Sequence, residues 1–259
     1  MEVPLKSLQV KGVIIREVPV GEADKILTIL TKEFGLMTVS AKNARRPRNN
    51  MLFATSALVF GEFELFGSES TRYYVNQVTV IESFNRLRDD IVMLTYCAHI
   101  MDVVFDAMRD SSSSHDIYTL LIYTLYTLCK ENKDTELVVH TFELKLLFMI
   151  GYLPVLNSCV LCNKPIQRDP SAFFLFSYAH CGICCHDFAC VSNAGDKERI
   201  SDSTWNCLRY IAASPIEKLY SFTLDKNYVQ ELSRLATRYL CDRLERCYTK
   251  LQMLKDFTV

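Results

Sequence analysis

Residues 21–48 read GEADKILTILTKEFGLMTVSAKNARRPR, and this stretch decides the fold of the N-terminal part of the chain. Lys25–Thr31 and Leu36–Ala41 are rich in β-branched and apolar residues, a composition typical of strands. The dipeptide Phe34-Gly35 separates them, and a polar loop at residues 42–50 ends the second run. The stretch therefore predicts two consecutive short strands followed by a basic loop.

The chain on either side of this stretch has the same pattern. Breaks fall at Pro19-Val20-Gly21 and at Gly67-Ser68-Glu69-Ser70. Five strands at this spacing, with no long helical pattern among them, favour a small closed barrel of the OB type over a sandwich. The three additional predicted strands are Val10–Arg16, Ala57–Phe66 and Tyr73–Ile81.

After Phe84 the apolar residues recur at helical intervals instead. Asp116 and either Ser201 or Ser203 are residue types that cap helix N-termini, and Gly151 is a helix stop. The predicted helices are Asp90–Met108, a second from Asp116 to about Lys130, Thr135–Ile150, one that begins near residues 201–203, and a last one over about residues 227–254.

Two cysteine pairs, Cys159-x-x-Cys162 and Cys181-x-x-Cys184, are separated by eighteen residues. This spacing lies in the range of tetrahedral four-thiolate zinc sites, because each C-x-x-C loop can turn both sulfurs toward one point. Cys185 and Cys190 follow closely, so the region holds more thiols than one zinc ion needs. A closed site of this kind has no open coordination position, which predicts a structural zinc rather than a catalytic one.

These patterns combine into an α+β architecture. We predict an OB-fold β-barrel over residues 1–81, followed by an α-helical domain over residues 82–259. The cysteine region at residues 156–190 is predicted to be a zinc-knuckle-like module inserted between helices of the second domain.

The composition is that of an ordinary soluble globular protein, with 49% apolar and 23% charged residues. Net charge is −1, so an anionic partner must be bound by a local patch. The first residues contain no apolar signal segment, and no apolar run approaches the ~18 residues needed to cross a bilayer. Because the clearest of the eleven cysteines have metal spacing, a reducing cytoplasm is the expected location.

A candidate patch for an anionic partner is the loop Lys42-Asn43-Ala44-Arg45-Arg46-Pro47-Arg48, which holds four positive charges in seven residues and no acid. Arginine forks suit phosphate geometry, which favours contact with a nucleic-acid backbone. The alternative interpretation is a solvated turn.

Aromatic residues on the predicted strands are possible base-stacking platforms, although alternation directs about half of them into the core. These are Phe60, Phe63, Phe66, Tyr73 and Tyr74.

Catalytic motifs give little support for an enzyme. The sequence contains no G-x-S-x-G, no phosphate-binding G-x-x-x-x-G-K-[ST] and no G-x-G-x-x-G, and its five histidines form no H-E-x-x-H pair. We therefore predict a binding protein that is not an enzyme. A zinc-dependent hydrolase, the remaining enzymatic alternative, needs a metal with an open position.

Several motifs resemble a known family. Gly21–Leu27, Leu30–Gly35 and Ala41–Arg46 are similar to the amino-terminal domain of the bacterial recombination mediator RecO. Phe142–Leu147, with Gly151-Tyr152-Leu153-Pro154 and the first cysteine pair after it, resembles the helical domain of the same family. The resemblance implies an OB-fold that binds single- and double-stranded DNA. It also implies a helical domain that docks the tail of the single-stranded DNA-binding protein, and partnership with RecR.

Two positions depart from the family pattern. Asn43 stands where the family has glycine, and asparagine tolerates a left-handed backbone better than other residues do. In the family register, Cys185 is the third metal ligand and Phe188 stands at the fourth position. The candidate ligands are therefore Cys159, Cys162, Cys181, Cys184 and Cys185, with Cys190 as a possible substitute.

The leading hypothesis is thus a DNA-binding recombination mediator of the bacterial cytoplasm and nucleoid. The resemblance implies that it anneals complementary strands and, with RecR, helps load RecA on DNA coated by the single-stranded DNA-binding protein in recombinational repair. A protein-binding scaffold that recognises a peptide tail, with DNA contact secondary, is the alternative. The residues expected to contact DNA are Lys42, Arg45, Arg46 and Arg48, with Lys11, Arg16 and Lys25 as weaker candidates.

Overall fold

The computed structural model describes residues 6–47, 50–67, 72–108, 114–167 and 173–257. The chain forms two compact units, one of Met1–Cys129 with Lys250–Val259 and the other of Lys130–Thr249. The domain boundary predicted after residue 81 falls inside the first unit and stays a prediction. Within the described ranges, no helix is long and apolar enough to cross a membrane.

The first unit contains a closed five-stranded barrel, which confirms the predicted OB-type fold. The strand order around the barrel is β1-β2-β3-β5-β4. All neighbouring strands run antiparallel except β3 and β5, which are parallel. The five strands are β1 (Lys6–Val20), β2 (Asp24–Thr31), β3 (Gly35–Ala41), β4 (Phe60–Gly67) and β5 (Tyr73–Glu82).

Closure depends on β1, which pairs with β2 over residues 12–20 and with β4 over residues 6–13. The register with β2 shifts between Ile14 and Arg16, the irregularity that lets a strand bend. Gly12 lies where both pairings overlap. A Cβ atom at Gly12 would lie 2.7 Å from the Leu30 carbonyl oxygen, so only glycine allows the close approach.

Alternation along the strands directs one set of side chains into the barrel. Leu27 and Ile29 of β2 and Phe63 of β4 are completely buried there. This periodicity of two explains why the sequence predicts the strands well. The buried residues of the barrel core are Val10, Ile14, Leu27, Ile29, Val39, Ala41, Ala44, Val59, Phe63 and Leu65.

The long helices largely follow the predicted spans, and Ser201 caps its helix as predicted by accepting a hydrogen bond from the Thr204 N–H. The Asp90 carboxylate accepts hydrogen bonds from the backbone N–H groups of Val92 and Met93 and so caps the first long helix. The helices are α1 (Met51–Ala54), α2 (Asn85–Arg88), α3 (Ile91–Ala107), α4 (Ser114–Lys130), α5 (Thr135–Met149), α6 (Phe188–Asn193), α7 (Asp202–Ala213), α8 (Lys226–Leu244) and α9 (Lys250–Phe257).

The short helices α1, α2 and α6 were not predicted, and two of the predicted helices differ from the structure. α4 begins at Ser114, so Asp116 lies in its first turn rather than at the cap, where its charge still favours the helix dipole. The single helix predicted over residues 227–254 is divided at Glu245, which adopts a left-handed backbone (φ 50°) and ends α8. No glycine or proline marks this break, and the apolar spacing continues across it.

After the break, α9 belongs to the first unit. The Lys250 ammonium donates to the Asp102 carboxylate at 2.6 Å and to the Ala98 carbonyl oxygen at 3.4 Å, both on α3. Arg16 of β1 pairs with the same carboxylate at 3.3 Å. Burial opposes ionisation of Asp102, but the two cations outweigh it and lower the pKa of this carboxyl. Asp102 therefore joins three elements of the first unit.

The second unit combines helices with a small antiparallel sheet. The sheet has the order β7-β6-β8, formed by β6 (Phe173–Ser177), β7 (Gly182–Cys184) and β8 (Lys197–Ser201). The predicted cysteine module is thus partly a β-hairpin between α5 and α7. The Trp205 indole donates to the Leu156 carbonyl oxygen at 2.9 Å and so ties α7 to the chain that leads into the module.

Candidate metal centre and nucleic-acid interface

Four cysteines of the second unit converge on one point. The sulfur atoms of Cys159, Cys162, Cys185 and Cys190 all lie within 4.8 Å of one another, and those of Cys162 and Cys185 are 3.7 Å apart. Zinc–sulfur bonds of ~2.3 Å place tetrahedral ligands roughly 3.8 Å apart. The four thiols therefore fit a zinc ion, and they form a group that can hold one metal.

Local backbone structure positions these cysteines. Between Cys159 and Asn163 the chain makes a tight turn, in which the Asn163 N–H donates to the Cys159 carbonyl oxygen at 2.9 Å. The Val160 N–H donates to the Ile183 carbonyl oxygen of β7 at 2.8 Å, which holds this turn beside the hairpin. Gly182 allows the close approach, because a Cβ atom there would lie 2.6 Å from the Val155 carbonyl oxygen. Cys185 follows β7 directly, and α6 carries Cys190.

The electrostatics of the four-cysteine group are uneven. Burial opposes ionisation of Cys159, but backbone N–H groups of Cys185, Cys162 and Leu161 lower the pKa of its thiol to about 6. Burial raises the pKa of Cys185, and hydrogen bonding with Cys185 together with burial raises the pKa of Cys190. The Cys159 thiolate is thus favoured while the thiols of Cys185 and Cys190 resist ionisation, a balance that a bound cation would shift toward four thiolates.

The other two candidate ligands lie outside this group. The Cys181 sulfur accepts a hydrogen bond from Arg243 Nη1 at 3.0 Å. Cys184 is buried, donates to the Cys185 carbonyl oxygen at 3.3 Å, and has a pKa raised to about 11, first of all by burial. Phe188, at the fourth family position, is 88% exposed, and Cys190 two residues later reaches the group instead.

The basic loop of the first unit is held in place by its backbone. Asn43 has the left-handed conformation (φ 55°), as its position in place of glycine suggests. Its N–H donates to the Asp24 carboxylate at 2.7 Å, and the Arg45 N–H donates to the Ala23 carbonyl oxygen at 2.8 Å. Ala44 between them is fully buried. These contacts fasten the loop to the turn between β1 and β2.

The cations of this loop face solvent. Lys42, Arg45 and Arg46 are exposed, and within the described residues no carboxylate forms an ion pair with them. Arg45 Nη1 donates to the Gly21 carbonyl oxygen at 3.1 Å, and the Lys42 ammonium lies 4.4 Å from the centroid of the Tyr74 ring. Arg48 lies outside the described residues.

The three weaker candidates have different surroundings. Lys25 is only 7% exposed, and its ammonium donates to Glu17 Oε2 at 2.5 Å and to two backbone carbonyl oxygens. Arg16 pairs with Asp102 and stacks on the Phe105 ring at 3.7 Å. Lys11 is exposed. Lys11 is therefore the freest of the three, and Lys25 is held inside the barrel wall.

The second unit also contains a cavity that the sequence did not indicate. Its volume is about 180 Å³, and it lies between the start of α5 and the irregular segment before α8. The Thr141 hydroxyl at its wall is buried and has no hydrogen-bond partner within the described residues. The lining combines apolar and polar side chains: Asn132, Lys133, Asp134, Leu137, Val138, Thr141, Tyr220, Phe222, Thr223 and Leu224.

The fold and the two sites together define a class of protein. Its members combine a closed barrel that carries a basic loop with helices and a four-cysteine candidate metal site. Comparison with known proteins identifies the class. Residues 5–84 match the family model described as Recombination protein O N terminal, and residues 88–252 match Recombination protein O C terminal. The chain therefore belongs to the RecO family of DNA repair proteins.

Individual relatives agree with this result. The chain is 36% identical to the DNA repair protein RecO of Acetivibrio thermocellus over 251 residues, which cover 97% of each chain. It is 30% identical to the RecO of Caldicellulosiruptor saccharolyticus over 236 residues, which cover 91% of this chain and 93% of the relative. The RecO of Clostridium acetobutylicum is 29% identical over 244 residues, which cover 94% and 95%.

The environment of Lys25 leads to a stability prediction. Replacement by methionine (Lys25→Met) is expected to lower the free energy of unfolding by roughly 1–3 kcal/mol, because Glu17 and two carbonyl oxygens lose their donor. Urea unfolding followed by circular dichroism measures the change. The matched variant Lys11→Met, at an exposed position on β1, is expected to change stability by less than about 0.5 kcal/mol. Equal stability of the two variants would contradict the structural role of Lys25.

Proposed function

We propose that this protein binds DNA through the basic loop of its barrel and acts as a recombination mediator. In this role it anneals complementary strands and, with RecR, helps load RecA on DNA coated by the single-stranded DNA-binding protein. The observation that carries the proposal is the set of three exposed cations, Lys42, Arg45 and Arg46, on a loop fixed by buried Ala44 and by backbone hydrogen bonds. Membership in the RecO family supports it.

The mechanism follows from phosphate binding. Arginine forks bind phosphate oxygens in pairs, and each neutralised phosphate releases counterions, which favours association at low salt. A loop that contacts only phosphates does not read sequence, so it can hold any two strands. Neutralised backbones repel each other less, and complementary bases then find each other. This mechanism requires binding alone, and we propose that the protein is not an enzyme.

The predicted DNA contacts rank by their surroundings. Lys42, Arg45 and Arg46 form the proposed centre, and Arg48 follows them in the sequence. Lys11 is an exposed secondary contact. We leave Lys25 out of the proposed surface because its ammonium is buried against Glu17, and Arg16 contributes less because Asp102 already neutralises it.

The double variant Arg45→Ala/Arg46→Ala tests the basic loop. Loss of two phosphate contacts is expected to weaken DNA binding by at least about tenfold at low salt and to reduce the salt slope by about 1.4 on single strands. Fluorescence anisotropy over a range of salt concentrations measures both quantities. Lys32→Ala, at an exposed position in the turn between β2 and β3, serves as the control and should keep the wild-type slope. An unchanged slope in the double variant would overturn the assignment.

We further propose that the four-cysteine group of Cys159, Cys162, Cys185 and Cys190 holds a structural zinc ion. Four thiolates at mutual distances below 4.8 Å match the ligand set of closed zinc sites. When bound, zinc would supply two positive charges that offset half of the charge of four thiolates, and it would crosslink their segments. The group joins the turn before β6, the end of β7 and α6, so it would stabilise the whole module.

Single serine variants test this ligand set. Cys159→Ser, Cys162→Ser, Cys185→Ser and Cys190→Ser are each expected to lower the zinc content of the purified protein far below one ion per chain. Cys181→Ser and Cys184→Ser should retain it, as should the control Cys247→Ser at an exposed position. Atomic emission measures the metal, and circular dichroism reports the fold. Retained zinc in Cys190→Ser with loss in Cys184→Ser would favour the sequence spacing over the spatial group.

The cavity of the second unit favours an additional function in protein binding. We propose that it receives the apolar end of the acidic tail of the single-stranded DNA-binding protein. Leu137, Val138 and Phe222 offer an apolar wall, and the Thr141 hydroxyl, which has no hydrogen-bond partner among the described residues, offers a hydrogen bond. Lys133 at the edge, whose ammonium lies 3.8 Å from the Glu131 carboxylate, would exchange this partner for an acidic segment of the peptide. Partnership with RecR is proposed from the family resemblance, without assigned residues.

Charge reversal at the cavity separates the two binding functions. Lys133→Glu is expected to weaken binding of a labelled acidic tail peptide by about tenfold, since it replaces attraction by repulsion at the cavity edge. DNA affinity should stay at the wild-type value. Lys218→Glu, an exposed position in the same unit, provides the matched control. Peptide affinity that is equal in the two variants would exclude the cavity as the peptide site.

A further inference from the structure

The structure shows which of the five aromatic residues on the predicted strands lie in the core and which face solvent, a question that the sequence left open. Phe60 and Phe63 are buried, and Tyr73 packs against the barrel core. Phe66 and Tyr74, by contrast, are 46% and 37% exposed. The two exposed residues are direct partners in the pairing of β4 with β5. Opposed residues of an antiparallel pair lie on the same side of the sheet, with Cβ atoms about 5 Å apart.

This aromatic pair adjoins the basic loop. Tyr74 also pairs with Ser40, the second-last residue of β3, and the basic loop begins two residues later at Lys42. The Lys42 ammonium lies 4.4 Å from the centroid of the Tyr74 ring. A cation and two exposed rings therefore stand next to one another at one end of the barrel.

We propose that Phe66 and Tyr74 form a stacking platform for unpaired bases of single-stranded DNA, with Lys42 at the adjoining phosphate. A nucleotide presents a flat base and a negative phosphate close together, which matches a ring beside an ammonium. Aromatic side chains bind unpaired bases of any sequence by stacking. Bases of a duplex are already stacked on both faces, so the platform favours single strands. This inference rests on the proposed DNA binding and specifies which form of DNA the barrel prefers.

Neighbouring acids indicate the direction that the strand takes. Glu62 and Glu64 alternate with Phe66 along β4 and share its outward face. The Glu64 carboxylate is held in place by the Ser7 hydroxyl at 3.4 Å and by Asn76 Nδ2 at 3.1 Å. These carboxylates repel phosphates, so a bound strand leaves the platform toward the basic loop rather than along β4.

The test compares two oligonucleotides of equal charge. One is a labelled oligothymidine, and the other is an oligomer of the same length made of abasic sugar phosphates. The wild-type protein is expected to bind oligothymidine about tenfold more tightly, because only that probe can stack. Phe66→Thr/Tyr74→Thr, which keeps strand-forming residues, should bind both probes with the affinity of the wild type for the abasic one. Tyr74→Phe should retain the preference.

Phe34→Ala is the matched control. Phe34 is 52% exposed in the turn between β2 and β3 of the same barrel, about 20 Å along β3 from Ser40 at the spacing of strand residues. It should leave the preference for oligothymidine unchanged. As a second measurement, 2-aminopurine in a single-stranded oligonucleotide should be quenched by the wild-type protein and much less by the single variant Tyr74→Thr.

The outcomes distinguish the platform from the basic loop. Arg45→Ala/Arg46→Ala should weaken binding to both probes equally, and its failure to do so would overturn the proposed DNA surface. A folded Phe66→Thr/Tyr74→Thr protein that still prefers oligothymidine would overturn the platform alone. If the Tyr74→Thr protein quenches 2-aminopurine as strongly as the wild-type protein does, the platform is likewise overturned. This measurement decides the question even if the double variant does not fold.

Discussion

The fifteen residues of β1 pair with β2 along one edge and with β4 along the other, and the barrel closes because the strand bends between these two pairings. Gly12 allows this closure because it has no side chain, so the backbones of β1 and β2 can approach each other closely at Leu30. Closure in turn brings the end of β3 beside the start of β5. That contact sets Tyr74 beside the basic loop, so the position of the charged surface follows from a backbone constraint in a different strand.

Much of the barrel was predictable because buried and exposed side chains alternate along a strand, and the sequence shows this alternation directly. The backbone conformation of Asn43 was predictable from a single residue type, since asparagine is among the few residues that accept a left-handed backbone. Asp90 and Ser201 likewise cap helices where their residue types suggest. In each case the physical cause acts within a few residues of the chain.

The features that the sequence left open or did not indicate depend on contacts between distant residues. Cysteine spacing favours Cys181 and Cys184, but the path of β7 and the turn of α6 bring Cys185 and Cys190 to Cys159 instead. The burial of Lys25 depends on Glu17 across the strand pair and on carbonyl groups near α1, which its own segment does not reveal. The cavity wall near Tyr220 lies in a segment without periodicity, where no sequence pattern applies.

The last helix gives the first unit a discontinuous chain. α9 packs with α3, and Lys250 holds the Asp102 carboxylate that also binds Arg16 of the barrel. A ribosome makes the barrel first and α9 only after the whole second unit. During that interval Asp102 has only one of its two cationic partners, and the surface of α3 that α9 covers stays open to solvent. The contacts of α9 with α3 can therefore form only after the second unit has been synthesised, so this part of the first unit is the last to be completed.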